Sequence, residues 1–209
     1  MNIVLLGANG RTGRLFLQMA LASGHSVTGV VRSAKSLEGV QHERLTTRVG
    51  DVCDLAFLKD VLPGHDAVVS TVGPRSPTRS ACLIYSRSGQ AIAEAMQATG
   101  LKRVLLTSTA LLFPPASTFD HALRWIARNN QKAAGLMEDR VREAQLDYTF
   151  ARTGFLTNAE DAAFEKANNA APEGSNSLPR LALANFLLIE LDRSDHVGQV
   201  VGLCGKRAA

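Results

Sequence analysis

The sequence of 209 residues predicts an α/β fold in which helices cover both faces of a parallel sheet. Apolar runs of strand length alternate with segments whose apolar residues recur every three or four positions, the pattern of repeated strand–helix units. The first strand passes into the first helix through Gly7, Gly10 and Gly13. No repeat, linker or charge block divides the chain, so we predict a single domain over residues 1–209.

The predicted elements follow one another in regular order. Strands are predicted at residues 1–6, 26–31, 45–49, 67–72, 103–107, 148–151 and 197–203. Helices are predicted directly after Gly13, up to Val61 behind an Asp54 N-cap, and at residues 81–98, 118–127, 131–144 and 179–191, with Ser177 capping the last. The polar, alanine-rich stretch from Asn158 to Ser177 is predicted to be the least ordered part. Residues from about 153 to 209 are predicted to form a small acceptor-site region.

The glycine loop predicts a nucleotide-binding turn of the kind that opens a Rossmann-like, doubly wound parallel sheet. Gly7 can take backbone angles that a Cβ would forbid, Gly10 lets the main chain approach a diphosphate, and Gly13 lets helix and strand pack closely. The diphosphate would sit on unpaired N–H groups at the helix N-terminus, where the Thr12 hydroxyl adds a donor. The alternative is a tight turn without a ligand, which the strand–turn–helix context disfavours.

The end of the second strand predicts the choice of cofactor. In NAD-binding units an acidic residue near this point accepts hydrogen bonds from the adenosine ribose. Here Arg32 stands in its place and Lys35 follows. The planar fork of an arginine suits the 2′-phosphate of NADP. We therefore predict NADP(H), the alternative being a surface arginine at the start of a loop.

The loop after the fourth strand carries two further arginines, Arg75 and Arg79. It lies beyond the carboxyl end of the strand, where open α/β sheets bind their ligands. These arginines are equally consistent with contacts to a cofactor phosphate or an acidic substrate and with solvated loop positions.

Composition excludes several classes of protein. With 45% hydrophobic and 20% charged residues the chain has the composition of a globular domain, and no window reaches the roughly 20 apolar residues that span a bilayer. The N-terminus enters a strand without a basic n-region or a cleavage site, so we do not expect export. Three widely spaced cysteines suit neither a disulfide framework nor a metal site. The net charge of +4 comes without a basic run, which argues against nucleic-acid binding. We expect a cytoplasmic protein that binds neither membrane nor metal.

Short motifs spread over nearly the whole chain carry a family resemblance. They are Gly7-Ala8-Asn9-Gly10-Arg11-Thr12-Gly13, Val31-Arg32, Gly50-Asp51-Val52, Asp66-Ala67-Val68, Thr107-Ser108 and Leu146-Asp147-Tyr148-Thr149. Through these motifs the sequence resembles the atypical short-chain dehydrogenase/reductases. It is most similar to their NmrA-like, NAD(P)H-binding group and, within that group, to the flavin reductase/biliverdin reductase B branch.

The resemblance implies where a cofactor would lie. Asp51-Val52 would border the adenine, Val72-Gly73 would pass beside the ribose and diphosphate, and Thr107-Ser108 with Thr153-Gly154 would lie near the nicotinamide. The complete predicted cofactor-binding set is Gly7, Asn9, Gly10, Arg11, Thr12, Gly13, Arg32, Asp51, Val52, Val72, Gly73, Arg75, Thr107, Ser108, Thr153 and Gly154.

The sequence departs from the family at the proton donor. Typical short-chain dehydrogenases use a Tyr-x-x-x-Lys pair, and alignment from Glu138 and Tyr148 puts Asn130 and Ala134 at those positions. Neither side chain is a suitable acid. Ser108 is the remaining polar candidate, predicted to position cofactor or acceptor, unless it only satisfies backbone groups at the strand end.

Two functions follow from this departure. The first is an NADPH-dependent oxidoreductase that transfers hydride to a small acceptor, such as a flavin, a quinone or a tetrapyrrole, which takes its proton from solvent. The second is a catalytically silent NADP(H)-binding redox sensor that acts through a partner protein. In either case we expect a monomer or a small homo-oligomer.

Overall fold

The computed structural model describes residues 1–115, 118–173 and 176–206. Its centre is an eight-stranded sheet in the order β3-β2-β1-β4-β5-β6-β10-β8, and β7 pairs with β9 beside it. The strands are β1 (Asn2–Leu6), β2 (Ser26–Val31), β3 (Leu45–Val49), β4 (Ala67–Ser70), β5 (Arg103–Thr109), β6 (Asp147–Thr153), β7 (Phe155–Thr157), β8 (Glu165–Asn168), β9 (Ser177–Pro179) and β10 (Gln199–Cys204).

Helices alternate with these strands. They are α1 (Arg11–Ala22), α2 (Leu55–Val61), α3 (Arg79–Thr99), α4 (Thr118–Ile126), α5 (Arg128–Glu143) and α6 (Arg180–Arg193), with 3₁₀ turns at Ala34–Leu37 and Ala110–Leu112. No helix among these ranges is long and apolar enough to cross a membrane.

The sheet is wound on both faces, as predicted. Alternate residues of a strand point to opposite faces, and two buried apolar clusters result. One joins Val4, Val68 and Leu106 to α2, α3 and α5. The other joins Leu5 and Leu105 to α1 and α6. The sheet therefore lies between two layers of helices, and its central parallel strands are buried on both sides.

The strand order places a topological switch at the centre of the sheet. β1 lies between β2 and β4 and is parallel to both. The chain thus winds from β1 toward β3 on one side and from β4 toward β10 on the other. In such sheets a crevice opens at the carboxyl ends of the strands on either side of the switch.

The C-terminal third differs from the prediction. The stretch from Asn158 to Ser177 contains the edge strand β8, which pairs antiparallel with β10. The predicted Ser177 cap is wrong: Ser177 lies in β9, paired with Phe155, and the N-cap position of α6 is Pro179, which offers no side-chain cap. Residues 174, 175 and 207–209 of the predicted acceptor-site region lie outside the described residues.

Candidate functional site

The predicted site residues are distributed along the carboxyl edge of the parallel strands. The glycine loop follows β1, and Arg32 follows β2. Asp51-Val52 follows β3, Val72-Gly73 and Arg75 follow β4, and the remainder lie at the ends of β5 and β6. Because these strands are parallel, all of the predicted residues face the same edge of the sheet.

The three glycines of the loop meet different constraints. Gly7 has a φ of +84°, a conformation that side chains disfavour. A Cβ on Gly13 would lie 2.1 Å from the Gly7 carbonyl oxygen, so helix α1 packs directly against the loop backbone. A Cβ on Gly10 would approach only that same oxygen, at 3.1 Å. Gly10 is therefore the position where the absence of a side chain leaves the outer face of the loop open.

The N-terminus of α1 is uncapped. Gly10 is the N-cap, no side chain accepts a hydrogen bond there, and the first turn carries no acidic residue. The leading N–H groups of a helix have no intrahelical partner, and the helix dipole makes this end positive. The loop can thus hold an anion, and it fits a dinucleotide diphosphate without rearrangement of a capping side chain.

Arg14 is a residue of this site that the sequence analysis missed. Its guanidinium donates to Asn9 Oδ1 at 3.0 and 2.8 Å and to the Ser36 carbonyl at 2.6 Å. It therefore ties the glycine loop to the 3₁₀ turn that follows Arg32. No local pattern predicts a contact across 22 residues, so only the structure could reveal it.

The ends of β2 and β3 lie side by side, because the Gly50 N–H donates to the Val31 carbonyl at 2.9 Å. Arg32 and Asp51 are both exposed next to this junction, and Val52 is half-buried. Asp51 Oδ1 accepts from the Cys53 N–H at 2.9 Å. Burial, reinforced by Asp51, raises the pKa of the Cys53 thiol to about 11, so this cysteine is no nucleophile at neutral pH.

The loop after β4 lies against the glycine loop. A Cβ on Gly7 would lie 3.1 Å from Thr71 Oγ1 and 3.2 Å from Val72 Cγ2. Gly73 and Arg75 are exposed further along the loop. The Tyr85 hydroxyl reaches this loop from α3, 3.3 Å from a Cβ built on Gly73. Burial raises the pKa of Tyr85 above its ordinary value, which makes it a poor proton donor at neutral pH.

The structure separates two neighbours that were predicted to act together. Leu105 packs in the cluster with α1 and α6, whereas Leu106 packs in the cluster with α3 and α5. By the same alternation Thr107 faces α1 and α6, and Ser108 faces α5. On β6, Thr153 pairs with Thr109. The exposed Gly154 abuts Asn176, whose carbonyl oxygen would lie 2.2 Å from a Cβ there.

Ser108 belongs to a buried ionic cluster, here called the Glu138 cluster: Ser108, Glu138, Arg142 and Arg152. Glu138, on α5, is 0% exposed. Ser108 Oγ lies 2.7 Å from its Oε1, and Arg152 binds both carboxylate oxygens at 2.9 and 2.6 Å. Arg142 Nη2 adds a contact of 2.8 Å to Oε2. A charged residue on the apolar face of an amphipathic helix is the signal that could have predicted such a partner.

The positions of the missing acid pair lie on α5. Ala134 is fully buried. Asn130 is half-buried, and its Oδ1 has no hydrogen-bond partner among the described residues. Lys132 is exposed and lines an open surface cavity of ≈ 410 Å³ with Arg128 and Leu136. A second cavity of ≈ 420 Å³ lies at the opposite, amino-terminal edge of the sheet. No predicted cofactor residue lines either one.

Comparisons with known proteins bear on the family and the fold of this chain. The sequence model of a family described as NAD(P)H-binding matches residues 7–194. Among solved structures, an oxidoreductase of Lactococcus lactis has a TM-score of 0.83 at 19% identity, covering 100% of this chain and 93% of that one. A wide-type short-chain dehydrogenase/reductase of Veillonella parvula, solved with NADP, has a TM-score of 0.75 at 20% identity, covering 98% and 94%. A candidate NADH-flavin reductase of Streptococcus pneumoniae has a TM-score of 0.76 at 21% identity, covering 99% and 100%. At these identities the structural likeness confirms the fold.

Proposed function

The chain belongs to the NAD(P)H-binding family whose sequence model matches residues 7–194, and on that premise we propose that it is an NADPH-dependent reductase of small acceptors. The observation that carries the proposal is the uncapped N-terminus of α1 behind Gly10. Its free N–H groups and positive dipole are suited to the diphosphate of the cofactor. Asn9, Arg11 and Thr12 border this end and would complete the diphosphate site.

Arg32 supports NADPH over NADH. It is exposed at the end of β2, and no acidic residue stands at the ribose position. Arg14 holds the following turn against the glycine loop through its 2.6 Å contact with Ser36. We infer that this contact keeps Arg32 and Lys35 close enough to the loop to supply the cation that a 2′-phosphate needs.

The proposed chemistry needs no side-chain acid. When bound, NADPH would supply a hydride, which carries one proton and two electrons, and would become NADP⁺. Among the described residues, Asn130 and Ala134 of α5 stand where the usual acid pair would be, and burial raises the pKa of Tyr85. This site fits an acceptor that receives the hydride from NADPH and takes the one further proton from solvent. Flavins, quinones and tetrapyrrole-like compounds are acceptors of this kind. Ser108 would position the bound molecules.

The lack of a suitable side-chain proton donor among these residues also favours a second function. A protein that binds NADP(H) and turns nothing over would act as a redox sensor through a partner protein. For either function we propose a cytoplasmic monomer or small homo-oligomer that binds no nucleic acid.

One experiment separates the two functions. NADPH oxidation is followed with a panel of flavins, quinones and biliverdin, while NADPH binding is titrated in parallel. Turnover with at least one acceptor supports the reductase, and binding without turnover supports the sensor. Failure to bind NADPH contradicts both.

Three variants test the absence of an acid. Loss of general acid catalysis typically costs about 10²–10⁴ in rate. Ser108→Ala should lower turnover by less than that range, and so should Lys132→Ala and Tyr85→Phe. A thousandfold loss in Lys132→Ala or Tyr85→Phe, with NADPH binding intact, would identify a proton donor and refute this mechanism.

A further inference from the structure

The Glu138 cluster fixes the direction of its hydrogen bonds. The Glu138 carboxylate is 0% exposed and accepts from two arginines, Arg152 at 2.9 and 2.6 Å and Arg142 at 2.8 Å. Guanidinium groups keep their protons under all ordinary conditions and only donate. A carboxylate that receives both of them is ionised and can only accept.

The hydroxyl proton of Ser108 is therefore used in its hydrogen bond to Glu138. Its Oγ lies 2.7 Å from Glu138 Oε1, and in this contact the hydroxyl must be the donor. A serine hydroxyl has a single proton and two lone pairs. Toward any third group, Ser108 can thus only accept a hydrogen bond.

Ser108 is 3% exposed, and its place in the sheet indicates which part of a bound cofactor would reach those lone pairs. It lies near the carboxyl end of β5, two strands from β1 across the topological switch. A doubly wound sheet binds one mononucleotide half of a dinucleotide on each side of its switch. The glycine loop and Arg32 lie on the β1–β3 side. The β4–β6 side, with Ser108, is left for the nicotinamide half.

We propose that Ser108 accepts a hydrogen bond from the carboxamide N–H₂ of the nicotinamide and that Glu138 is the positioning residue that imposes this polarity. The inference rests on the proposed function, because it requires NADP(H) at this edge. It gives Ser108 a role opposite to polarising a carbonyl: it cannot donate to the carbonyl oxygen of an acceptor or stabilise negative charge there. The side chain recognises the cofactor ring and leaves the acceptor's oxygen to solvent.

The test compares two cofactors that differ only in the proposed donor. In the 3-acetylpyridine analogue of NADP⁺ a methyl ketone replaces the carboxamide, so the carbonyl remains and the N–H groups are lost. One hydrogen bond corresponds to roughly two- to tenfold in affinity. The native protein should bind NADP⁺ more tightly than the analogue by that factor, as measured by calorimetric titration.

Two variants report on the contact itself. Ser108→Ala should weaken NADP⁺ binding by the same factor and leave the analogue unchanged, bringing the ratio of dissociation constants to about one. Glu138→Gln supplies an amide that can donate to Ser108, which frees the serine proton and should favour the analogue's ketone. Because Glu138→Gln leaves two buried arginines poorly paired, a thermal melt accompanies it, and Ser108→Ala decides the proposal if the glutamine variant unfolds.

Ser88→Ala is the matched control, since Ser88 is another buried serine and its hydroxyl donates to the Ile84 carbonyl at 2.6 Å. It should leave the ratio as in the native protein. A purely structural role of Ser108 would weaken both cofactors equally, and an unchanged ratio in Ser108→Ala overturns the proposal. If the native protein binds NADP⁺ but prefers the analogue, the proposal also fails while the proposed function stands. If it binds neither cofactor, both fail.

Discussion

At the scale of single residues, the three glycines of the loop are there for different structural reasons. Gly7 is required by its own φ of +84°, and Gly13 by the Gly7 carbonyl oxygen that a Cβ would meet at 2.1 Å. Gly10 has extended backbone angles, φ −68° and ψ 159°, which any residue can adopt. The fold thus explains Gly7 and Gly13. At Gly10 a Cβ would meet only the Gly7 carbonyl oxygen, at 3.1 Å, and we propose that the space left there serves a ligand.

Gly10→Val should therefore abolish NADPH binding while the protein stays folded. The new side chain would occupy the space above the N-terminus of α1, where the diphosphate is expected. Gly13→Ala is the comparison: its Cβ would collide with backbone, and it should lower the free energy of unfolding by about 1–3 kcal/mol. Denaturant unfolding and a binding titration distinguish the two. Retained NADPH affinity in Gly10→Val would show that the loop holds no phosphate.

Arg32→Ala should remove most of a preference for NADPH over NADH. A charge-assisted contact with phosphate contributes about 1.5–3 kcal/mol, or roughly ten- to a hundredfold in affinity. Dissociation constants for both cofactors, measured for native protein and variant, give the preference directly. Arg193→Ala removes an exposed arginine at the far end of α6 and should leave it intact. Equal affinity of the native protein for the two cofactors would refute the assignment.

At the scale of elements, local signals account for what the sequence predicted. Asp54 was expected to cap α2, and its Oδ1 does accept from the N–H groups of Ala56 and Phe57 at 2.9 and 3.2 Å. Strands β2 and β3 were predicted with their observed ends from short-range patterning alone, and β1, predicted from residue 1, begins at Asn2. β8 was missed because it is short and polar and pairs only with β10 at the sheet edge. Such a strand has no buried face to give it an alternating pattern.

In the candidate site, too, local signals predict some residues and miss the contacts between distant parts of the chain. The glycine loop and Arg32 lie within a few residues of a strand end, so pattern and spacing predict them. The contact of Ser108 with Glu138 spans 30 residues and depends on which face of β5 meets α5. The Ser177 cap failed for a related reason, since pairing of β7 with β9 places that residue in a strand. Contacts set by register cannot be deduced from propensity.

Asp54→Ala should lower the free energy of unfolding by about 1 kcal/mol, within a range of roughly 0.5–2. Helix α2 has only seven residues, so the two N–H groups that Asp54 satisfies are a large share of its first turn. Urea unfolding measures the loss. Asp54→Asn is the matched control, because asparagine caps about as well as aspartate. Equal losses in both variants would show that charge and not capping is responsible.

At the scale of the whole molecule, Glu190 joins four elements at the amino-terminal edge of the sheet. Its carboxylate is 2% exposed and lies 2.7 Å from Arg103 Nη2, 3.0 Å from Thr149 Oγ1 and 2.6 Å from His196 Nδ1. Lys166 of β8 lies 3.2 Å from His196 Nε2 and extends the network to the sheet edge. Burial would raise the pKa of Glu190, but these hydrogen bonds and the Arg103 charge outweigh it and lower the pKa.

Because the pKa of Glu190 is lowered in the folded protein, the free energy of unfolding depends on pH. The folded chain binds the Glu190 proton less readily than the unfolded chain, so acid favours unfolding. The stabilisation is fully present above the ordinary glutamate value of 4.5 and is lost as the pH falls below it, through the lowered pKa. The free energy of unfolding, measured by denaturant titration from pH 7 to pH 3, should decline in that window.

Glu190→Gln should lower the free energy of unfolding at pH 7 by about 3–5 kcal/mol, because it leaves Arg103 without its buried counter-charge. The variant should also show a shallower decline below pH 4.5, since the titrating group is gone. Glu94→Gln, at an exposed position of α3, should keep a slope close to that of the native protein. Parallel curves for native protein and Glu190→Gln would exclude this origin of acid sensitivity.

The place of β10 between β6 and β8 also governs the order in which the sheet can be completed during synthesis. β2 and β4, the two neighbours of β1 in the sheet, follow β1 soon along the chain. β8 emerges well before β10, yet β10 is its only partner in the sheet among the described residues. A nascent chain that has reached α6 therefore carries an unpaired β8 and an open edge on β6, the kind of exposed strand edge at which growing chains associate wrongly. Translation of the six residues of β10 closes both at once.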